Sequence, residues 1–179
     1  MNIVFRFLRV FVAAFFRKPL SGPLNTSVVR FHVLPNDLDF NVHMTNSRYI
    51  SVMDLGRFDL TIRNGLAGLS YKNQWRPIVA SEMIRFRRPL PPFQAYELRT
   101  RVAGWDGKWF FFEQTFLIQD PAGPTVAAVA LVKALLRGRT GNIAPAQALS
   151  ALGHTAPSPA LSSAVVAWLE SEKSLPKPE

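Results

Sequence analysis

The chain has 179 residues, the length of one domain, and 48% of them are apolar, 14 being phenylalanine, so one substantial core is affordable. With no cysteine, a disulfide framework, a zinc ribbon, a redox pair and a thiol nucleophile are all excluded. The balance of 21 basic against 12 acidic residues gives +9, yet charged residues are only 18%, too few for a disordered polyelectrolyte.

Residues 1–20 (MNIVFRFLRVFVAAFFRKPL) stand apart, apolar but for a few side chains that include Arg6 and Arg9, and closing on Arg17-Lys18. A secretory leader would carry its charge ahead of the apolar run, so no cleavage is expected. No apolar run reaches about 18 residues, so no membrane span is expected either. Drawn as a helix, the segment places Arg6 and Arg9 on one face, with Phe, Val, Leu and Ile around the rest. Two readings fit. One is an interfacial helix on an anionic bilayer, making a cytoplasmic protein peripheral to the membrane; the other is a helix packed on its own domain or on a partner subunit.

Residues 27–34 alternate, with Val29, Phe31 and Val33 on one face, and predict a half-buried strand. Between residues 45 and 64 the period becomes helical: Tyr49, Val52, Met53, Gly56 and Leu60 form a stripe that Ile50, Phe58 and Ile62 widen, which predicts a buried helix. A short helical or irregular link to Arg76 follows. Strands are expected at 78–88, 94–104, 109–119 and 125–137, with Asp106-Gly107 marking a tight hairpin. Strand, buried helix and four strands joined by short connections predict an α+β domain over residues 26–140, its antiparallel sheet curled about the helix. Residues 141–179 read as an Ala/Pro/Ser linker followed by a helix from Ser158-Pro159 to about Glu172.

Much catalytic machinery is excluded. There is no G-x-S-x-G elbow, no Walker or G-x-G-x-x-G loop, and His32, His43 and His154 lack zinc spacing, so no metal and no cofactor are expected. The basic residues are dispersed and the aromatics lie in strand patterns, which argues against nucleic acid as a partner.

Residues 36–46 (NDLDFNVHMTN) gather two carboxylates, an imidazole and three side-chain amides between the first strand and the buried helix. The helix start offers unpaired N–H groups to an oxyanion, and a carboxylate beside it can act as base or nucleophile. Asn and Asp also serve there simply as turn formers and caps.

The run Asp37-Leu38-Asp39-Phe40-Asn41-Val42-His43-Met44-Thr45-Asn46-Ser47-Arg48-Tyr49 resembles the signature of hotdog-fold acyl thioesterases. It is similar to D-L-D-x-N-x-H-V-N-N-x-x-Y of plant acyl-ACP thioesterases and to D-x-D-x-x-x-H-V-N-N-x-x-Y of the 4-hydroxybenzoyl-CoA thioesterase-like group. The Arg85–Leu90 strand end and the Trp105–Lys108 turn are similar to that group as well.

The resemblance implies a hotdog fold with Asp39 as catalytic carboxylate, Asn41 and His43 as its polar companions and Asn46 at the helix start. It differs from hotdog hydratases, whose D-x-N-P-x-H spacing sets His five positions after Asp; here Asp39 and His43 are four apart. Thr45 replaces one Asn of the signature, and Val42 stands where bacterial members carry Gly. Glu82 is the nearest carboxylate to the acidic position that plant enzymes carry on the next strand, about where Arg85 stands. The expected substrate is an acyl-CoA or an acyl carrier protein thioester, met by Arg85, Arg87 and Arg88, in a homodimer or homotetramer. The alternative is a hotdog protein that binds acyl chains or lipids without turning them over.

Overall fold

The computed structural model describes residues 3–121 and 123–176. Met1, Asn2, Ala122 and residues 177–179, which fall in the predicted termini and in one strand connection, lie outside the described residues. In chain order the elements are α1 (Ile3–Phe16), β1 (Ser27–His32), a 3-10 turn (Pro35–Asp37), α2 (Asn46–Arg63), α3 (Leu66–Asn73), β2 (Arg76–Phe86), β3 (Ala95–Trp105), β4 (Phe110–Asp120), β5 (Gly123–Arg137), β6 (Asn142–Ile143), α4 (Pro145–Ser150) and α5 (Ser163–Glu172).

All strand pairings are antiparallel, in the order β1-β3-β4-β5-β2, with β6 on the end of β5. The sheet carries α2 on one face, where Val52, Met53 and Leu60 join Leu98, Phe112, Phe116 and Val132 in the main core. On the other face α5 lays Val165 and Trp168 over Phe111 and Leu131. Gly56 sets the spacing of helix and sheet: a Cβ there would stand 2.5 Å from Thr100 Oγ1 and 2.7 Å from Leu98 Cδ2, so any larger residue would push α2 off β3.

The helix is less uniformly apolar than its spacing predicted. Ile50 and Phe58 are partly exposed, while Arg57 and Asp59 are buried. Both charges are satisfied, as burial requires. Arg57 donates to Gln114 Oε1 at 2.7 Å, and Asp59 accepts from Ser27 Oγ at 2.6 Å and from Arg17 and Arg63 at 3.1 Å.

Two details of the tail depart from expectation. Within the predicted linker, Pro145 opens α4, whose Ala148 and Leu149 enter the core; one turn of apolar spacing is enough to dock a helix that composition alone presents as a linker. Ser158 does not cap α5. Its hydroxyl accepts from Trp105 N at 2.8 Å, and Ser162 caps instead, accepting from Val165 N.

The arginines on and just after α1 reach across to β1, Arg6 buried and Arg9 still exposed. Arg6, Arg9 and Arg17 donate to the backbone carbonyls of His32, Arg30 and Val28, alternate residues of β1, at 2.8, 3.1 and 3.3 Å. β1 is an edge strand, and alternate carbonyls on its free side would otherwise invite another strand. α1 therefore seals that edge with guanidinium groups and packs Phe7 against Phe58 of α2, the ring centroids 5.1 Å apart. The other edge, β2, is open along its length and exposes Ile78, Val79, Met83 and Phe86.

Candidate active site

The segment between the 3-10 turn and α2 folds back on itself. Leu38 bridges Met44, Asp39 N donates to the His43 carbonyl at 2.9 Å, and Val42 N donates to the Asp39 carbonyl at 3.1 Å. This small hairpin forces Val42 to φ +58°, a left-handed conformation that a β-branched residue adopts only under strain. Val42 is largely exposed, so removing its side chain forfeits little packing. Val42→Gly is expected to stabilise the protein by about 1 kcal/mol, net of glycine's extra backbone entropy. A raised urea midpoint checks this; a lowered one would show that the Val42 side chain holds the turn.

The two carboxylates of the segment have different surroundings. Asp37 is 1% exposed, ion-paired with Arg6 of α1 and, at 2.9 Å, with Arg48 of α2, and it accepts from Leu34 N at 2.8 Å. Its own carbonyl accepts from Thr45 N at 2.8 Å. Asp37 thus ties together the helix before the hairpin and the helix after it, and its carboxylate is buried away from solvent. Asp39 is partly exposed. Its Oδ1 accepts from Asn41 N at 2.8 Å, and its Oδ2 lies 3.5 Å from His43 Nδ1, a contact that becomes an ion pair when the imidazole is protonated.

His43 and Asn46 line a cavity of about 300 Å³ with Met44, Tyr49, Phe86 and Arg88. α2 begins at this cavity. Thr45 occupies the N-cap position but its side chain makes no capping hydrogen bond, so the first-turn N–H groups of α2 are not met by a side chain from that position. Tyr49 follows Asn46 by one turn, packs on Phe86 and Phe116, and burial pushes its phenol up to about 12, so it stays a neutral donor at physiological pH. Sequence spacing marked Tyr49 only as part of the core stripe; that it walls the site depends on where β2 ends.

A model of the thioesterase-like superfamily matches residues 33–169. The chain belongs to that superfamily. It is 36% identical over 129 residues to protein THEM6 of Danio rerio, the match covering 72% of this chain and 63% of that protein. To a probable thioesterase of Saccharomyces cerevisiae it is 29% identical over 121 residues, covering 66% and 51%. The chain therefore spans less than two thirds of the length of these curated relatives. Among solved structures, the probable thioesterase YbaW of Escherichia coli superposes with a TM-score of 0.62 at 21% identity, covering 72% of this chain and 96% of that one. A 4-hydroxybenzoyl-CoA thioesterase variant in complex with 4-hydroxybenzoyl-CoA superposes at 0.64 and 12% identity, covering 71% and 97%. The antiparallel sheet about α2 is the hotdog fold.

Within this thioesterase-like chain the remaining predicted site residues divide. Asp39, Asn41 and His43 share one turn, and Asn46 lies at the cavity that His43 lines; the side chains of Asn41 and Asn46 are exposed. Arg87 and Arg88 border the same cavity, and with Arg85 they line an adjoining depression of about 630 Å³. All three are exposed and make no ion pair among the described residues.

Glu82 lies elsewhere. It pairs with Arg57 at 3.0 Å, beneath the middle of α2, about three helical turns along from Asn46. Next to that pair, α2, α3 and the sheet enclose an apolar cavity of about 430 Å³, walled by Phe58, Leu66, Trp75, Val79, Phe110 and Leu135.

Proposed function

We propose that the chain hydrolyses acyl-CoA or acyl carrier protein thioesters, with Asp39 as the base that activates water or as the nucleophile that attacks the carbonyl. The observation that carries this reading is the pairing of one partly exposed carboxylate, restrained by Asn41 N and facing His43, with the uncapped start of α2 beside a cavity. Negative charge developing on the carbonyl oxygen would be held by backbone N–H groups at the start of α2, where the helix dipole favours it. His43 and Asn41 position the reactants. The thiolate leaves without strong acid assistance because a thiol pKa is only about 8.5. Several solved relatives of this fold act on CoA thioesters by name, including gentisyl-coenzyme A thioesterase, which supports the substrate class.

The same reading assigns Arg85, Arg87 and Arg88 to the phosphates of CoA or to an acidic carrier. A panel of acyl-CoA and acyl carrier protein thioesters, assayed by thiol release, tests both parts. Replacing the three arginines by glutamine is expected to raise KM roughly tenfold with kcat unchanged, the effect shrinking at high salt. An unchanged KM would free the three from this role.

The open β2 edge further supports a homodimer. Antiparallel pairing of two β2 strands about their midpoint would extend the sheet and cover Met83 and Phe86. It would also bring the catalytic cavity at the Phe86 end of one copy beside the apolar cavity at the Arg76–Val79 end of the other, leaving room there for an acyl group. Light scattering is expected to give twice the chain mass, and Met83→Lys is expected to shift it toward one chain. A monomeric wild-type protein with full activity would contradict this arrangement.

A further inference from the structure

We propose that the outer face of α1 docks on an anionic lipid bilayer, with the helix lying in the interface plane. Arg6, Arg9 and Arg17 are turned onto β1 and the segment after it, so the opposite face keeps none of them. Left outside are Val4, Phe5, Leu8, Phe11, Val12, Phe15 and Phe16, with Phe15 62% and Phe16 87% exposed. A surface helix ordinarily does the reverse, apolar side in and charges out. The exposed band spans two adjacent rows of the helix surface, broader than the narrow a/d seam of a coiled coil. Contiguous apolar surface of this kind marks a binding site.

Charge chooses the occupant. The first acidic residue of the chain is Asp37, so the preceding 36 residues carry Arg6, Arg9, Arg17, Lys18 and Arg30 and no carboxylate. Lys18 is exposed just beyond the end of α1 and Arg9 is exposed at the border of the apolar band, whereas Arg30 is ion-paired with Glu97 at 3.0 Å. An apolar band beside exposed Arg9 and Lys18, neither held by a carboxylate among the described residues, fits a bilayer whose headgroups are anionic. Among the described residues no helix is long and apolar enough to cross a membrane. At 14 residues α1 spans roughly 21 Å, short of the hydrocarbon thickness, so it lies along the surface. Because Arg6 also holds Asp37, two residues before Asp39, docking through α1 would set the catalytic hairpin at a fixed orientation to the membrane.

The test uses the full chain with vesicles of phosphatidylcholine alone and of phosphatidylcholine mixed equally with phosphatidylglycerol, separated by sedimentation. The wild-type protein is expected to pellet with the mixed vesicles and to do so more weakly with the neutral ones. Leu8→Glu/Phe15→Glu, both exposed and outside the catalytic hairpin, is expected to lower the bound fraction roughly tenfold or more, with an unchanged thermal transition. Phe15→Ser, a milder change, gives an intermediate loss. Three results would overturn the proposal: wild-type protein left in the supernatant, equal pelleting of the double variant, or a double variant that loses an oligomer seen in the wild type while neither protein binds vesicles, which would assign the face to a second copy of the chain.

Discussion

Asp39→Asn is expected to lower kcat for thioester hydrolysis by about 10² to 10⁴, the range contributed by a positioned general base, with KM nearly unchanged. Asparagine keeps the shape of the side chain and can still accept from Asn41 N through its amide oxygen, so the hairpin retains its fold. What is lost is the charge that draws a proton from water or forms the new bond to carbon. The thermal transition should move little, because Asp39 is partly exposed and its contact with His43, at 3.5 Å, is long. A variant as active as the wild type would remove Asp39 from the chemistry. A variant that lost activity only by unfolding would make it structural.

Asp37→Ala should do the opposite: its first effect is on stability. The Asp37 carboxylate is buried, and removing it strands Arg6, itself buried, and Arg48 while freeing Leu34 N. Breaking a buried ion pair from one side costs about 3–5 kcal/mol, because the remaining charge has nowhere to be hydrated. For a domain of this size that lowers the thermal midpoint by roughly 10 °C. Activity is expected to fall with it, and to recover in part at low temperature, since the hairpin is displaced while its reactive groups remain. A change below about 1 kcal/mol would mean that Arg6 and Arg48 find water or other partners, and that α1 is held chiefly by its apolar contacts. The contrast between two aspartates separated by one residue is the sharpest internal check on the site.

Much of this was readable from the sequence. The span of α2 follows from its stripe and from Asn64 at its end, and the Asp106-Gly107 hairpin forms with Asp106 Oδ1 accepting from Lys108 N and Trp109 N at 2.7 Å. The cluster of Asp39, Asn41 and His43 is local, so the residues that are near in sequence are near in space. What escaped are pairings between distant residues. Arg6 with His32, Arg9 with Arg30 and Arg17 with Val28 are edge contacts that no helical wheel contains; the wheel shows an arginine face and leaves open which way it turns.

By composition alone Asp37 and Asp39 look alike, and only the arrival of Arg6 and Arg48 separates the buried, ion-paired carboxylate from the partly exposed one. Glu82 lies on the strand where a second carboxylate was sought, but Arg57 and the rise of α2 hold it away from the hairpin. The strain at Val42 was foreshadowed by the glycine that related signatures carry there, since φ +58° is the conformation glycine accommodates.

Whether Asp39 drives thioester hydrolysis is read most directly from thiol release from one acyl-CoA thioester, followed side by side for the wild-type protein and Asp39→Asn at equal concentration and with matched thermal transitions. Sustained multiple turnover is expected of the wild type, and a rate at least about a hundredfold lower of the variant. Equal rates for the two proteins, or a wild-type protein that binds the thioester or co-purifies with lipid but releases no thiol, would contradict this expectation.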